Sequence, residues 1–203
     1  MKRLYLLCIV LVIVACGKPE RHAEDSASVM QFAISQAPLN LDPRYATDAA
    51  SARINRLLYE SLVDFDGQSK PAPSLASWVA VSPADYHFTL KAHHALFHNQ
   101  TPLTAYDVKA TYDSLIALKD SPHAAEFVNI ENIEAVDDDT VTFHLKQADK
   151  DFPAKLIIGI LPSALIVKGH DFSHEAVGSG PLKLFTWQNK LTLKSKLEKP
   201  LLN

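Results

Sequence analysis

The chain has 203 residues, 47% hydrophobic and 21% charged, the composition of a globular protein with room for one large or two small domains. A net charge of −3 with 8% aromatic residues gives no electrostatic or stacking case for a nucleic acid or an anionic membrane surface as partner.

The N-terminus reads as a targeting segment. Lys2 and Arg3 precede an apolar run over 4–15. That run is shorter than the roughly 20 residues of a permanent spanning helix, so 1–15 is expected to be a signal peptide. Ile13-Val14-Ala15-Cys16 resembles a lipobox, the processing site of bacterial lipoproteins. Cleavage there leaves Cys16 as a lipidated N-terminus, and two or more acyl chains anchor stably. The alternative is an ordinary secretory leader with a chance cysteine. Cys8 leaves with the leader, so the mature chain has no disulfide and its core alone must hold it. Residues 16–28 are polar and read as a flexible tether. The mature second residue is Gly17 rather than Asp, which in a host with two membranes implies the outer one.

Residues 29–34 are the first strand candidate, followed by a loop with Pro38 and Pro43. Thr47 or Asp48 can cap the next helix, with Ala50, Ile54, Leu57, Leu58 and Ser61 as its buried stripe. Phe65-Asp66-Gly67 is a turn, and Trp78 reads as a core anchor. Tyr86, Phe88 and Leu90 alternate with His87, Thr89 and Lys91, the period of a half-buried strand. Asn99-Gln100-Thr101-Pro102 is turn chemistry, with the left-handed residue expected at Asn99. Thr104 and Asp107 form a capping box for a helix over 105–118 that buries Val108, Tyr112, Leu115 and Ile116.

Two strands, 127–136 and 139–146, meet at Asp137-Asp138-Asp139. The triple aspartate lacks the alternating ligands and distal Glu of a calcium loop and reads as a solvated hairpin turn. Phe152-Pro153 opens a short helix to about 159, and residues 177–187 form a return strand. Its Gly178 and Gly180 lack the Lys-Ser/Thr and following helix of a phosphate loop. Residues 191–193 are one more strand.

Phe88, Leu90, Lys91, Phe97, His98, Thr101 to Ala105, Asp107 and Val108 fit the pattern F-x-L-[KR]-x-G-V-x-F-H-D-G-x-P-L-T-A-x-D-V. Leu41-Asp42-Pro43, Leu58-Tyr59-Glu60-Ser61-Leu62, the 133–145 hairpin and Val177-Gly178-Ser179-Gly180-Pro181 follow suit. Together they resemble the solute-binding proteins of peptide and nickel ABC importers, the bacterial extracellular family 5.

The resemblance implies an α/β fold, periplasmic-binding-protein-like (type II), present here as its first main-lobe segment and a small inserted α+β subdomain at roughly 45–168, within a domain at 29–203. The second lobe that closes over ligand in the family is expected to be missing. It also implies a membrane-anchored, periplasmic substrate-binding lipoprotein, with a peptide ligand, ABC permease subunits as partners, no cofactor, no enzymatic chemistry and no nucleic acid. By resemblance Gln36, Ala37, Pro38 and Leu39 after the first strand, with Ser179 and Gly180 on the return strand, line the open face. A decayed relic and a nickel-binding member are the alternatives. His93, His94 and His98 invite a metal site, but a zinc site needs three or four supported ligands, and the family pattern carries His98 without metal.

Overall fold

The computed structural model describes residues 29–30, 36–91, 95–187 and 191–196. The signal peptide, Cys16, the tether, most of the predicted first strand, His93 and His94 lie outside the described residues. In chain order the elements are β1 (Val29–Met30), α1 (Ala49–Leu58), β2 (Val63–Phe65), β3 (Pro71–Pro73), β4 (Ala76–Ser82), β5 (Asp85–Leu90), α2 (Ala105–Ala117), β6 (Ile130–Ala135), β7 (Thr140–Leu145), α3 (Ser163–Val167), β8 (Leu182–Trp187) and β9 (Leu191–Ser195). Short 3-10 turns cover Ala124–Phe127 and Phe152–Lys155.

One core is built on a four-stranded antiparallel sheet in the order β4-β5-β7-β6. Tyr86, Phe88 and Leu90 of β5 and Val141, Phe143 and Leu145 of β7 are buried, and the register sets Phe88 opposite Val141 and Tyr86 opposite Phe143. Helix α2 packs on β6 and β7 and buries Val108, Tyr112 and Leu115. Phe143 is the hub of the core: its ring lies 5.5 Å from Phe88, 5.5 Å from Tyr112 and 5.4 Å from Phe152. Edge-on and tilted aromatic packing of this kind adds to simple area burial. Thr104 is the N-cap of α2, and its N–H and hydroxyl both donate to the Asp107 carboxylate, at 2.8 and 3.0 Å. The other carboxylate oxygen accepts from Ser163 N–H at 2.7 Å, so the cap also fixes the start of α3.

The second core is smaller. Leu41, Ile54, Leu58, Tyr59, Leu161, Phe172, Leu182 and Leu193 meet between α1 and a three-stranded antiparallel sheet, β1-β9-β8. The chain crosses between the two cores twice, at 59–62 and 157–161. The crossings lie side by side, with Ile160 N–H donating to Glu60 O at 2.9 Å and Val63 N–H to Leu156 O at 3.1 Å.

Several expectations are corrected. Gln100, not Asn99, takes the left-handed conformation, with φ of 69°. Asn99 is committed one position earlier: its side-chain oxygen accepts from Thr101 N–H and from the Thr101 hydroxyl. The buried face of α1 is Ser51, Ile54, Asn55 and Leu58, whereas Ala50 and Leu57 are only partly covered and Ser61 lies past the helix end. Asp48 rather than Thr47 caps it, accepting from Ser51 N–H at 2.9 Å. Trp78 is half-buried at the rim of the large core, stacked 6.0 Å from Phe88. The segment after Phe152 is a single 3-10 turn, and the strand expected from 127 starts at Ile130 because Ala124–Phe127 forms another.

Candidate functional site

Two connections position the junction between the cores. The first is the loop before α1. Ser51, buried on the helix, accepts from Leu39 N–H (2.9 Å) and Asn40 N–H (3.1 Å), so the loop is tied down through backbone groups. Farther on, the Arg44 guanidinium grips the Asp42 carboxylate through Nε and a terminal nitrogen, the latter at 2.7 Å, and reaches Ser114 Oγ on α2 at 3.1 Å. Ser121 Oγ donates to Arg44 O at 2.7 Å, and His123 Nε2 donates to Ala46 O at 2.9 Å. Residues 42–46 are thereby stapled to both cores. A paired, multiply hydrogen-bonded ion pair of this kind is costly to break from one side.

The second connection is the return segment before β8. Gly180 N–H donates to Leu58 O at the end of α1 (2.9 Å). His98 closes the other side. Its backbone N–H donates to Gly178 O (2.7 Å), its Nε2 donates to Gly180 O (3.0 Å), and its Nδ1 accepts from Gly178 N–H (3.3 Å). That pattern requires the neutral ring with the proton on Nε2. Burial, the largest influence, pushes its pKa below the ordinary imidazole value, and Lys196 and Lys183 push the same way. Both ring nitrogens are engaged, leaving neither lone pair for a metal. Among the described residues no group of three His, Cys, Asp or Glu is placed to hold one. Glycine is required at 178 and 180: a Cβ would sit 2.0 Å from Leu58 O at the first and 2.5 Å from Leu57 O at the second.

The residues singled out from sequence fall at the two ends of α1. Gln36 and Ala37 are exposed, Pro38 is buried, and Leu39 is 78% exposed. Ser179 is 2% exposed, its hydroxyl has no partner, and its carbonyl accepts from Lys196 Nζ at 2.7 Å. Gly180 is buried. Seven residues of helix, about 10 Å, separate the Ser51 anchor of the first group from the Leu58 anchor of the second.

Between those ends, where the chain crosses from core to core, lies a cavity of about 360 Å³. Asn55, Tyr59 and Glu60 line it together with Ile157, Ile158 and Gly159 of the neighbouring second crossing. Pro43, His123 and Pro181 also line it, as do Arg56 and Asp64, an exposed pair 2.6 Å apart. Two of the lining residues, Asn55 and Tyr59, each carry an oxygen, Oδ1 and OH, that is shut off from solvent and has no hydrogen-bond partner among the described residues. Buried polar atoms are nearly always paired, so each orphan needs a reason. Burial pushes the Tyr59 pKa well up, which keeps the hydroxyl protonated and able to donate. The volume falls within the roughly 300–1,000 Å³ of small-molecule sites, which combine apolar walls with a few polar groups. Of the residues singled out from sequence none lines this cavity; Pro43 and Pro181, each beside one of the singled-out motifs, do.

A family model for bacterial extracellular solute-binding proteins, family 5, middle part, matches residues 70–196. The chain belongs to this family. The family 5 glutathione-binding protein GsiB of Escherichia coli O1:K1 is 30% identical over 181 residues, 84% of this chain but 35% of GsiB. The oligopeptide-binding protein AppA of Bacillus subtilis, solved with a nonapeptide, superposes with a TM-score of 0.71 at 27% identity, covering 78% of this chain and 34% of AppA. NikZ of Campylobacter jejuni, solved with Ni(L-His), superposes with a TM-score of 0.68 at 23% identity, covering 82% and 34%, a likeness of fold. The α/β architecture is therefore that of the type II periplasmic binding proteins, and the chain spans about a third of these relatives' length. Family 5 proteins are solute-binding rather than catalytic, and their extracellular class places them outside the cytoplasmic membrane.

Proposed function

We propose that this chain is the solute-holding part of the substrate-binding lipoprotein of a peptide ABC importer, and that the cavity between the cores is where the solute seats. Asn55 and Tyr59 carry the reading: each lines a cavity of ligand size and each holds a buried oxygen without a partner among the described residues. Gln36 to Leu39 and Ser179 to Gly180 do not line the cavity; they flank it from the two ends of α1, the second group through its neighbour Pro181. Cys16 carries the lipid, residues 16–28 are the tether, and permease subunits receive the solute. The domain runs over 29–203, with the inserted subdomain near 45–168. The chain is anchored at the periplasmic face, on the outer membrane in a host with two. GsiB and AppA, named for glutathione and oligopeptides, support a short peptide as solute.

The test is calorimetry of the mature chain against di- to pentapeptides and glutathione. A cavity that is not fully enclosed buries less than the 70–90% of a ligand's surface typical of closed pockets. The expected affinity is therefore in the millimolar range, about −4 kcal/mol. Tyr59→Phe keeps the ring packing and removes the orphan hydroxyl, so it should preserve the fold and weaken binding. Binding that is indifferent to Tyr59→Phe and Asn55→Ala, or no binding at all, defeats the proposal.

A further inference from the structure

His98 joins the two cores through bonds that only a neutral ring can make. It is fixed to the large core, since its neighbour Phe97 is buried there. The return segment is fixed to the second core, with Gly180 N–H on Leu58 O of α1 (2.9 Å) and Leu182 packed beside Leu58. Between them run three hydrogen bonds. His98 N–H donates to Gly178 O at 2.7 Å, Nε2 donates to Gly180 O at 3.0 Å, and Nδ1 accepts from Gly178 N–H at 3.3 Å. Lys196 backs the segment from its other side, donating from Nζ to Ser179 O (2.7 Å) and from N–H to Pro181 O (2.9 Å). The Arg44 staple ties the cores at a separate place, through Asp42 and Ser114.

We infer that His98 is an acid-released latch between the two cores: when its ring takes a second proton, the return segment lets go of the large core while each core stays folded. An imidazolium carries a hydrogen on both nitrogens and accepts on neither. Its Nδ1–H would then face Gly178 N–H, donor against donor. The ring is rigid, so backing away from Gly178 also lengthens the bond from Nε2 to Gly180 O. Burial, foremost, resists the added charge, and Lys196 just past β9 and Lys183 on β8 resist it too; the bond to Gly180 O alone favours it. The end of α1 meets the two glycines with the Leu57 and Leu58 carbonyls and the Tyr59 ring, none of them ionised. Among the described residues no carboxylate acts on the ring to offset the proton. Release is local because the large core closes on its own sheet and helix, and local openings of this kind need far less than global unfolding. Pro181 lines the cavity between the cores, so that part of the lining moves with the released segment. The latch stands whether or not a solute seats there.

The latched form takes up the proton less readily than the released one. The released share therefore rises as pH falls below about 6.5, by at most about ten-fold per pH unit for one proton. The experiment is amide hydrogen exchange of the mature chain followed by proton–nitrogen NMR from pH 7 to pH 5, with the His98 ring titrated in the same samples. Protection factors divide out the intrinsic pH dependence of exchange. Those of His98 N–H and Gly178 N–H, the two amides of the latch, should fall about five-fold or more between pH 6.5 and pH 5. Those of Gly180 N–H, which stays on α1, and of the β5–β7 ladder in the large core should hold constant. The ring should carry its proton on Nε2 at pH 7 and titrate below 6.5. His98→Gln can still donate to Gly180 O but does not titrate, so the protection of its own backbone amide should not depend on pH. A ring that titrates at or above 6.5, latch amides that do not follow it, an equal loss in the β5–β7 ladder, or a pH dependence that survives His98→Gln overturns the latch. Should the variant fail to fold, the two wild-type readouts decide alone.

Discussion

Replacing Gly178 by alanine tests whether the return segment is as tightly seated on α1 as its contacts indicate. The added Cβ would lie 2.0 Å from Leu58 O and 2.6 Å from Tyr59 Cδ1. A backbone carbonyl at a helix end cannot swing aside as a flexible side chain would, so the return segment must move away. Overpacking of this kind costs about 1–3 kcal/mol. The displacement also strains His98 N–H to Gly178 O (2.7 Å) and Gly180 N–H to Leu58 O (2.9 Å), each worth about 1 kcal/mol. The total is about 3–5 kcal/mol, a large part of the roughly 5–15 kcal/mol that holds a domain folded. The assay is equilibrium urea unfolding followed by tryptophan fluorescence, since Trp187 sits on β8 directly after this segment. With a denaturant slope of about 2 kcal/mol/M the midpoint should fall by about 2 M. Gly67→Ala is the control: nothing lies within 4 Å of its Cβ position, and its midpoint should not move. If Gly178→Ala stays within about 0.5 kcal/mol of wild type, the range of an ordinary surface change, the clamp formed by Leu58, His98 and the two glycines is not what holds the cores together.

The His98 ring is held neutral, with its pKa lowered mainly by burial. The unfolded chain therefore takes up the proton first, so this contribution is intact above the ordinary imidazole value near 6.5 and is lost as pH falls below it. The urea midpoint of wild type should drop more steeply between pH 7 and 5 than that of His98→Gln; parallel curves would rule the clamp out as the source. Thr104→Ala removes a hydroxyl bonded to Asp107 at 3.0 Å and should cost about 1 kcal/mol, measured by thermal unfolding; no loss would mean the backbone bond to Asp107 suffices. Arg44→Met strands the Asp42 carboxylate and should cost about 3–5 kcal/mol, more than the double variant Asp42→Asn/Arg44→Met; the reverse order would show that the pair is dispensable. Cys16→Ser should abolish incorporation of labelled fatty acid, and a wild-type chain that never takes up the label refutes lipidation.

The elements that could be read from sequence are those in which one residue's neighbours along the chain decide its environment. Tyr86, Phe88 and Leu90 alternate because one face of β5 meets the core, and Thr104 with Asp107 closes a cap within four residues. Strand β4 escaped because Val79 and Val81 are exposed while the Trp78 before them is only half-buried, which blurs the alternation. The β2–β3 ribbon escaped because Pro71 and Pro73 argue against a strand, and here they belong to a two-stranded edge. On α1 the polar residues Ser51 and Asn55 are buried four apart. Such a polar row on an otherwise apolar face was the available signal for the site. What Ser51 binds lies 11 and 12 residues earlier, and part of the lining that Asn55 shares comes from about 100 residues later. The cavity is a product of the two crossings and has no local pattern, although its Tyr59 and Glu60 stood in plain view inside a recognisable motif.

The three-stranded sheet sets Met30 opposite Leu193. During synthesis the ribosome adds roughly 5–20 residues per second, so β1 waits on the order of 10–30 s for its only partner strand among the described residues. The large core, whose buried residues fall between Leu62 and Ile160, has all its strands available before β9 emerges and can close first. In a chain left free to fold as it is made, the inner unit would form first, with α1 and the Leu41-Asp42-Pro43 loop held beside it by the Arg44 staple, and the late arrival of β8 and β9 would complete the second core. An exported chain must be kept from folding until it has crossed the membrane, and a unit that can close before its end is made gives the secretion machinery a short interval in which to capture it.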